Sequence, residues 1–277
     1  PLYWPLLKPA SPLEIVSHRA VWTLVFCIIV LALLRQLKST LAIMKHSKKM
    51  AGLFATTLLI SINWVTYIWA TNNGHVVEAS LGYYINPIIM IAIGIILLKE
   101  KMRKLQWASV SIAAVGVAVL TYDNGRLPWV ALSLALSWGS YGLVKKQLNL
   151  GALEGLTVET SLSLPFYGGY LIFIGLNGTG QLGSSVGLSI LLIGAGIVTA
   201  IPLLLFNGST TRLPFTIIGL LQYITPTIQF SIGVWVRHED MPTARWVGFM
   251  IIWAALITLA IDLLKSGRTV NNSVAQG

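Results

Sequence analysis

Apolar residues fall in blocks near twenty long, and the polar residues between them gather into short, mostly basic connections. The blocks lie near 13–35, 50–71, 76–98, 105–122, 127–146, 154–176, 187–207, 214–236 and 244–264, with a shorter stub over 1–8. A helix of that length is what crossing about 30 Å of hydrocarbon requires. The pattern predicts an all-α integral membrane protein of about ten transmembrane helices.

The pattern also repeats. Tyr84, Pro87, Gly94, Glu100, Met102, Trp107 and Asp123 recur as Tyr223, Pro226, Gly233, Glu239, Met241, Trp246 and Asp262, every pair 139 residues apart. Rare residue types do not fall into register by accident over forty positions, so the chain carries an internal duplication. The copies are expected over 1–125 and 126–270, with a tail at 271–277. Tyr3 and Lys8 match Tyr141 and Lys146 at an offset of 138, and Tyr3 has far less helix before it. A first helix truncated before Pro1 is therefore expected.

Composition agrees with the membrane reading. Hydrophobic residues make up 55% of the chain and charged residues 10%, against about 25% charged in a soluble domain. The net charge of +10 is a topology signal. Lys and Arg crowd 35–49, 99–104, 145–146, 212 and 265–268, and the opposite connections hold only Lys8, Arg126, Arg237 and Arg245. The positive-inside rule puts both termini in the cytoplasm, with anionic lipid head groups rather than nucleic acid as partners of the basic loops. Five spans per copy is an odd number, so the second copy enters the membrane upside down. Inverted repeats of this kind mark secondary transporters, with the solute site near the midplane.

Ionisable groups inside spans are costly unless they face protein or water. Glu14 and His18 are one helical turn apart, with Arg19 beside them. Glu78, Gly82 and Asn86 form a polar and small stripe, Asn63 pairs with Tyr67, and Glu159 lies in the seventh block with Ser163 one turn on. Gln222, Pro226 and Gln229 share a face of the ninth block. The candidate solute-binding set is Arg19, His18, Glu14, Asn63, Glu78, Tyr84, Glu159, Gln222 and Tyr223. Pro87 and Pro226, mid-span and matched between copies, are the candidate hinges. A packing role is open for each: an ion pair at Glu14 and Arg19, an N-terminal dipole partner at Glu78, interhelical hydrogen bonds at Asn63 and Gln222. Lys145 and Lys146 are expected to snorkel to the interface.

Enzyme chemistry finds little support. The chain has no G-x-x-x-x-G-K-[ST] phosphate loop and no G-x-S-x-G elbow, and its four histidines lack metal-ligand spacing. No metal, cofactor or catalytic residue is expected. Uphill transport would then draw on an ion gradient, with His18, Glu78 and Glu159 as candidate proton carriers. Two further readings stay open: a passive facilitator, and a membrane enzyme acting on lipid head groups.

Ser17-His18-Arg19-Ala20-Val21-Trp22, Asn63-Trp64 and Glu78 through Pro87 resemble the RarD family of EamA-type transporters, in the drug/metabolite transporter superfamily. Tyr141 through Lys146, Val158-Glu159-Thr160, Thr211-Arg212-Leu213 and Gln222 through Pro226 continue the resemblance, which covers nearly the whole chain. It implies ten helices in two inverted EamA repeats and a permease of the bacterial inner membrane, often an exporter of amino acids or related metabolites. The RarD name also carries a link to chloramphenicol sensitivity. Lys8, Glu14, His18, Arg19, Asn63, Glu78, Lys146 and Glu159 stand where that pattern retains them.

Overall fold

The computed structural model describes residues 2–72, 76–122 and 129–232. In the last stretch it describes 235, 243, 246–248, 250–251, 253–258 and 260–262. Asp123, Gly233, Glu239 and Met241 of the repeat lie outside these residues, as do the side chains of Glu78, Pro226 and Gln229. Among the described residues every regular element is a helix, and none is a strand. A 3-10 turn at Trp4–Leu7 leads into α1 (Pro12–Leu33), α2 (Leu37–Met44), α3 (Ser47–Asn72), α4 (Val76–Ile96) and α5 (Lys104–Tyr122). Then follow α6 (Trp129–Leu148), α7 (Ala152–Leu176), α8 (Val186–Arg212), α9 (Phe215–Leu221) and α10 (Ile224–Ser231). Among the described residues, Pro12–Leu33, Ser47–Tyr67 and Val186–Arg212 are long and apolar enough to cross a membrane. Shorter apolar helices cover Gly82–Ile96, Lys104–Val119 and Trp246–Asp262. Leu33, Phe166, Leu176, Val186 and Leu205 are between 69% and 84% exposed, a surface suited to lipid tails and costly in water.

Local chemistry sets the helix ends. Ser11 caps α1 by accepting from the Glu14 N–H at 3.2 Å, and Pro12 opens the first turn, where its missing N–H costs nothing. Asn149, after α6, takes a left-handed φ of 46°, a conformation asparagine tolerates better than most residues.

Two expectations need correction. The basic connection 35–49 is not all loop, because α2 lies within it. Leu37, Leu41 and Met44 give α2 an exposed apolar stripe beside Lys38 and Lys45, and the density of basic residues hides that short periodicity. The single span expected over 214–236 is interrupted at Gln222 and Tyr223, between α9 and α10. Pro226 has no N–H to offer the Gln222 carbonyl four residues back. That carbonyl instead accepts from Thr225 N at 3.2 Å, a tighter turn. Pro87 lies inside an unbroken α4.

The chain divides into two compact units, and each draws on both halves of the sequence. The first comprises residues 1–68 and 140–212, the second 69–139 and 213–277. In the first, α1 packs along both α7 and α8. Gly196 makes the α8 approach possible: a Cβ there would come within 2.4 Å of the Trp22 backbone carbon, and Thr23 Oγ1 donates to the Gly196 carbonyl at 3.0 Å. Small residues at such crossings let helix backbones meet where lipid supplies no hydrophobic drive.

In the second unit α4 packs on α5 and α9. Gly219 lets α9 lie against the Pro87 carbonyl, which a Cβ would approach to 2.9 Å. The Glu100 carboxylate accepts from Phe215 N at 2.7 Å and Thr216 N at 2.9 Å, closing the start of α9. Arg103 meets Asp262 at 2.6 Å.

Candidate functional site

Within the first unit a cavity opens between α3, α6, α7 and α8, lined among others by Thr57, Ser61, Trp64, Tyr141, Glu159 and Tyr167. Its walls come from the N-terminal half of the sequence through α3 and from the C-terminal half through the other three helices. About 20 Å³ is open to water-sized groups, space for about one water and too little for a metabolite.

Glu159 forms one end of this lining. Its carboxylate is 2% exposed, deep enough that an unpaired charge would be severely destabilising. Lys145 answers it from α6, with Nζ 3.1 Å from Oε1. Thr56 on α3 donates its hydroxyl to the same oxygen, and Tyr141 OH lies 3.3 Å from Oε2. Tyr141 OH also reaches Asn207 Oδ1 on α8 at 3.1 Å, while Asn207 Nδ2 is buried without a hydrogen-bond partner among the described residues. Tyr141 and Lys145 lie on α6 and Glu159 on α7; the turn between the two helices brings them together.

The other end is aromatic. Trp64 lines the cavity and tilts against Tyr167 at 6.4 Å. Arg19 lies over the Trp64 ring at 4.9 Å and the Trp4 ring at 4.5 Å, and its Nε donates to Thr199 Oγ1 on α8 at 3.0 Å. A guanidinium flanked by indoles gains cation–π attraction of about 0.5–2 kcal/mol and keeps its planar fork oriented. Thr57, which reaches the Glu159 carbonyl, and Trp64 are seven residues apart on α3, about 10 Å along the helix.

His18, directly before Arg19, and Glu14, one turn before His18 on α1, are both 2% exposed. Trp22 Nε1 donates to His18 Nδ1 at 3.2 Å, which leaves the ring proton on Nε2, 3.8 Å from Glu14 Oε1. Glu14 Oε1 also accepts from Gln181 N at 2.6 Å, tying α1 to the connection between α7 and α8.

The EamA-like transporter family matches residues 3–122. Protein RarD of Streptomyces exfoliatus is 45% identical over 270 residues, 97% of this chain and 85% of its own. The chain belongs to the RarD family of EamA-type transporters. Transporter YojE of Bacillus subtilis is 46% identical to it over 272 residues, 97% and 91% of the two chains. A crystal structure only 14% identical superposes with a TM-score of 0.68 over 94% of this chain and 91% of the other, which speaks to the fold alone. This RarD-family protein is thus a multi-pass membrane transporter, and a small-molecule substrate and a lipid surround come with that class.

The remaining sequence candidates of this RarD-family chain lie elsewhere. Asn63 is half-buried on α3 and outside the cavity lining. Tyr84 and Tyr223, repeat partners, share one buried cluster of the second unit with Ile85, Ala113 and Ala255. Gln222 accepts from Asn86 Nδ2 at 3.0 Å in that unit, and Tyr223 OH is buried without a hydrogen-bond partner among the described residues. The Glu78 side chain lies outside the described residues.

Sequence reasoning missed Lys145, Thr56, Tyr141 and Asn207. Lys145 was expected to snorkel, yet it is 6% exposed. Its demand is local: the buried carboxylate of Glu159 needs a cation more than the interface does. The available signal was the i, i+4 spacing of Tyr141 and Lys145.

Proposed function

We propose that this transporter moves a small zwitterionic or amphipathic metabolite, amino-acid-like in its charges, across the bacterial inner membrane by alternating access. The observation that carries the reading is one cavity whose lining joins a buried carboxylate, Glu159, to Trp64, the ring on which Arg19 lies. Arg19 takes the solute's anionic group and Glu159 its ammonium, while Trp64 and Tyr167 meet the apolar part. Glu14 and His18 brace the segment of α1 that presents Arg19. Asn63, Glu78, Tyr84, Gln222 and Tyr223 remain candidates for solute contact.

The space inside is smaller than any such solute, so helices must part to admit one. Pro87 and Pro226 are the proposed hinges, because each removes a backbone bond, Pro87 within α4 and Pro226 at the break between α9 and α10. The two copies act as inverted repeats, with both termini cytoplasmic as the distribution of Lys and Arg requires. Lacking a phosphate loop, the chain couples to an ion gradient, and protons are the proposed currency.

A thermal-shift screen of the detergent-purified full-length protein against amino acids, amines, aromatic metabolites and chloramphenicol tests this. A ligand that binds only the folded state adds about 2.7 kcal/mol at a hundred times its dissociation constant. Zwitterions are expected to raise the melting temperature of the wild type and to lose that effect in Arg19→Gln and Glu159→Gln. Folded protein that responds to nothing, or variants that respond like the wild type, overturns the assignment.

A further inference from the structure

The Glu159 carboxylate already holds an ammonium, that of its own chain. Lys145 reaches Oε1 from α6 without lining the cavity, whereas Glu159 and Tyr141 do line it. A solute ammonium arriving through the cavity therefore meets a carboxylate whose charge is balanced from another side. Two cations against one buried carboxylate would leave an uncompensated positive charge, among the costliest arrangements in a protein interior. A lysine can resolve this by losing its proton; an arginine cannot.

We infer that Lys145 is the proton carrier of the site, releasing one proton when a solute ammonium binds Glu159. The inference rests on the proposed cation role of Glu159. The balance is R–NH₃⁺ plus the Lys145–NH₃⁺·Glu159–COO⁻ pair giving R–NH₃⁺·Glu159–COO⁻, neutral Lys145–NH₂ and one proton delivered to solvent. No covalent bond changes other than that N–H. Reversal of the step on the other side of the membrane exchanges one proton for one organic cation.

The surroundings suit the role. Thr56 and Tyr141 hold the carboxylate whichever ammonium is present. Gly155, one turn before Glu159, leaves the room Lys145 uses: a Cβ there would lie 2.8 Å from Nζ. The other titratable groups on the elements packed here are Lys48, Lys49 and Tyr67 on α3, Tyr141 and Lys146 on α6, Glu154, Tyr167 and Tyr170 on α7, Arg212 on α8, and Glu14, His18, Arg19 and Cys27 on α1. Lys146 Nζ is turned to the Thr210 carbonyl at 3.2 Å. On α3 the site is faced by the hydroxyls of Thr56, Thr57 and Ser61. Lys145 is thus the titratable cation seated on Glu159.

The test uses full-length protein and n-butylammonium chloride, which stays protonated from pH 6 to 9, with n-butanol and sodium chloride as matched controls. Melting curves of the wild type are expected to show saturable stabilisation, the half-saturating concentration falling about tenfold per pH unit because one proton leaves on binding. Lys145→Arg keeps an ion pair to Glu159 yet holds its proton, so it should melt like the wild type without ligand and bind n-butylammonium at least tenfold more weakly at pH 9. Stabilisation of the wild type by an amino-acid zwitterion, read in parallel, separates this inference from the zwitterion reading: a zwitterion response without the pH-dependent n-butylammonium response overturns the inference alone. A pH-independent half-saturation in the wild type, absence of binding up to pH 9, or Lys145→Arg binding with the wild-type slope would each overturn it. The wild-type slope decides the matter even if the arginine variant fails to fold.

Discussion

Arg19 and Glu159 occupy the same step of their helices, each eight residues beyond its N-cap, Ser11 in α1 and Gly151 in α7. The two helices pack against each other in one compact unit. Each charged group is met by a threonine of a neighbouring helix, Thr199 for the guanidinium and Thr56 for the carboxylate. Equivalent steps on two packed helices thus carry opposite charges, and the cavity lining connects their surroundings through α3.

Stability and transport should separate at Lys145 and Glu159. Lys145→Met leaves a buried carboxylate alone and is expected to cost about 3–5 kcal/mol, whereas Lys145→Met with Glu159→Met is expected to recover most of that loss. Melting curves read the first effect. Solute flux in proteoliposomes reads the second, and it should stay absent in the stable double variant.

Arg19→Lys is not a conservative change. The ammonium keeps the charge but gives up the planar fork and the stacking on Trp4 and Trp64, so solute-induced stabilisation should fall about tenfold in apparent affinity, equivalent to about 1.4 kcal/mol. An affinity equal to wild type would show that charge alone matters there.

Two glycines should behave in opposite ways. Gly196→Ala drives a methyl into the Trp22 backbone and should destabilise by about 1–3 kcal/mol as α1 and α8 are forced apart. Gly175→Ala, with nothing within 4 Å of the added Cβ, should be neutral or stabilise by up to about 1 kcal/mol. Paired thermal unfolding of the two variants checks both signs.

Much of this was legible beforehand because lipid makes length and apolarity decisive. The second block, expected at 13–35, is the helix Pro12–Leu33, and the eighth, at 187–207, begins within a residue of Val186. The break at Gln222 and Tyr223 was not legible, since the apolar pattern runs through it and only the backbone cost of Pro226 interrupts the helix. The Glu14–His18 neighbourhood could be read from a one-turn spacing. The Lys145–Glu159 pair could not, because it bridges two helices and contradicts the usual escape of a terminal lysine toward water. Tyr84 and Tyr223 show the same limit, since their spacing marks them as repeat partners while only packing shows that they share a cluster.

Glu100 anchors the second unit. Glu100→Ala removes a charged acceptor from the two N–H groups that open α9 and should cost about 1–2 kcal/mol. Glu100→Gln should retain part of that loss as stability, since an amide oxygen still accepts. Hydrogen exchange at Phe215 and Thr216, faster in the alanine variant than in the glutamine variant, would register the difference.

The most direct measurement is uptake of a stabilising zwitterion into proteoliposomes with and without an imposed pH gradient, for the wild type, Arg19→Gln and Glu159→Gln. Gradient-driven accumulation by the wild type, lost in both variants while they remain folded, is the predicted result. Accumulation that persists in both variants would contradict the site, and flux that ignores the gradient would contradict proton coupling.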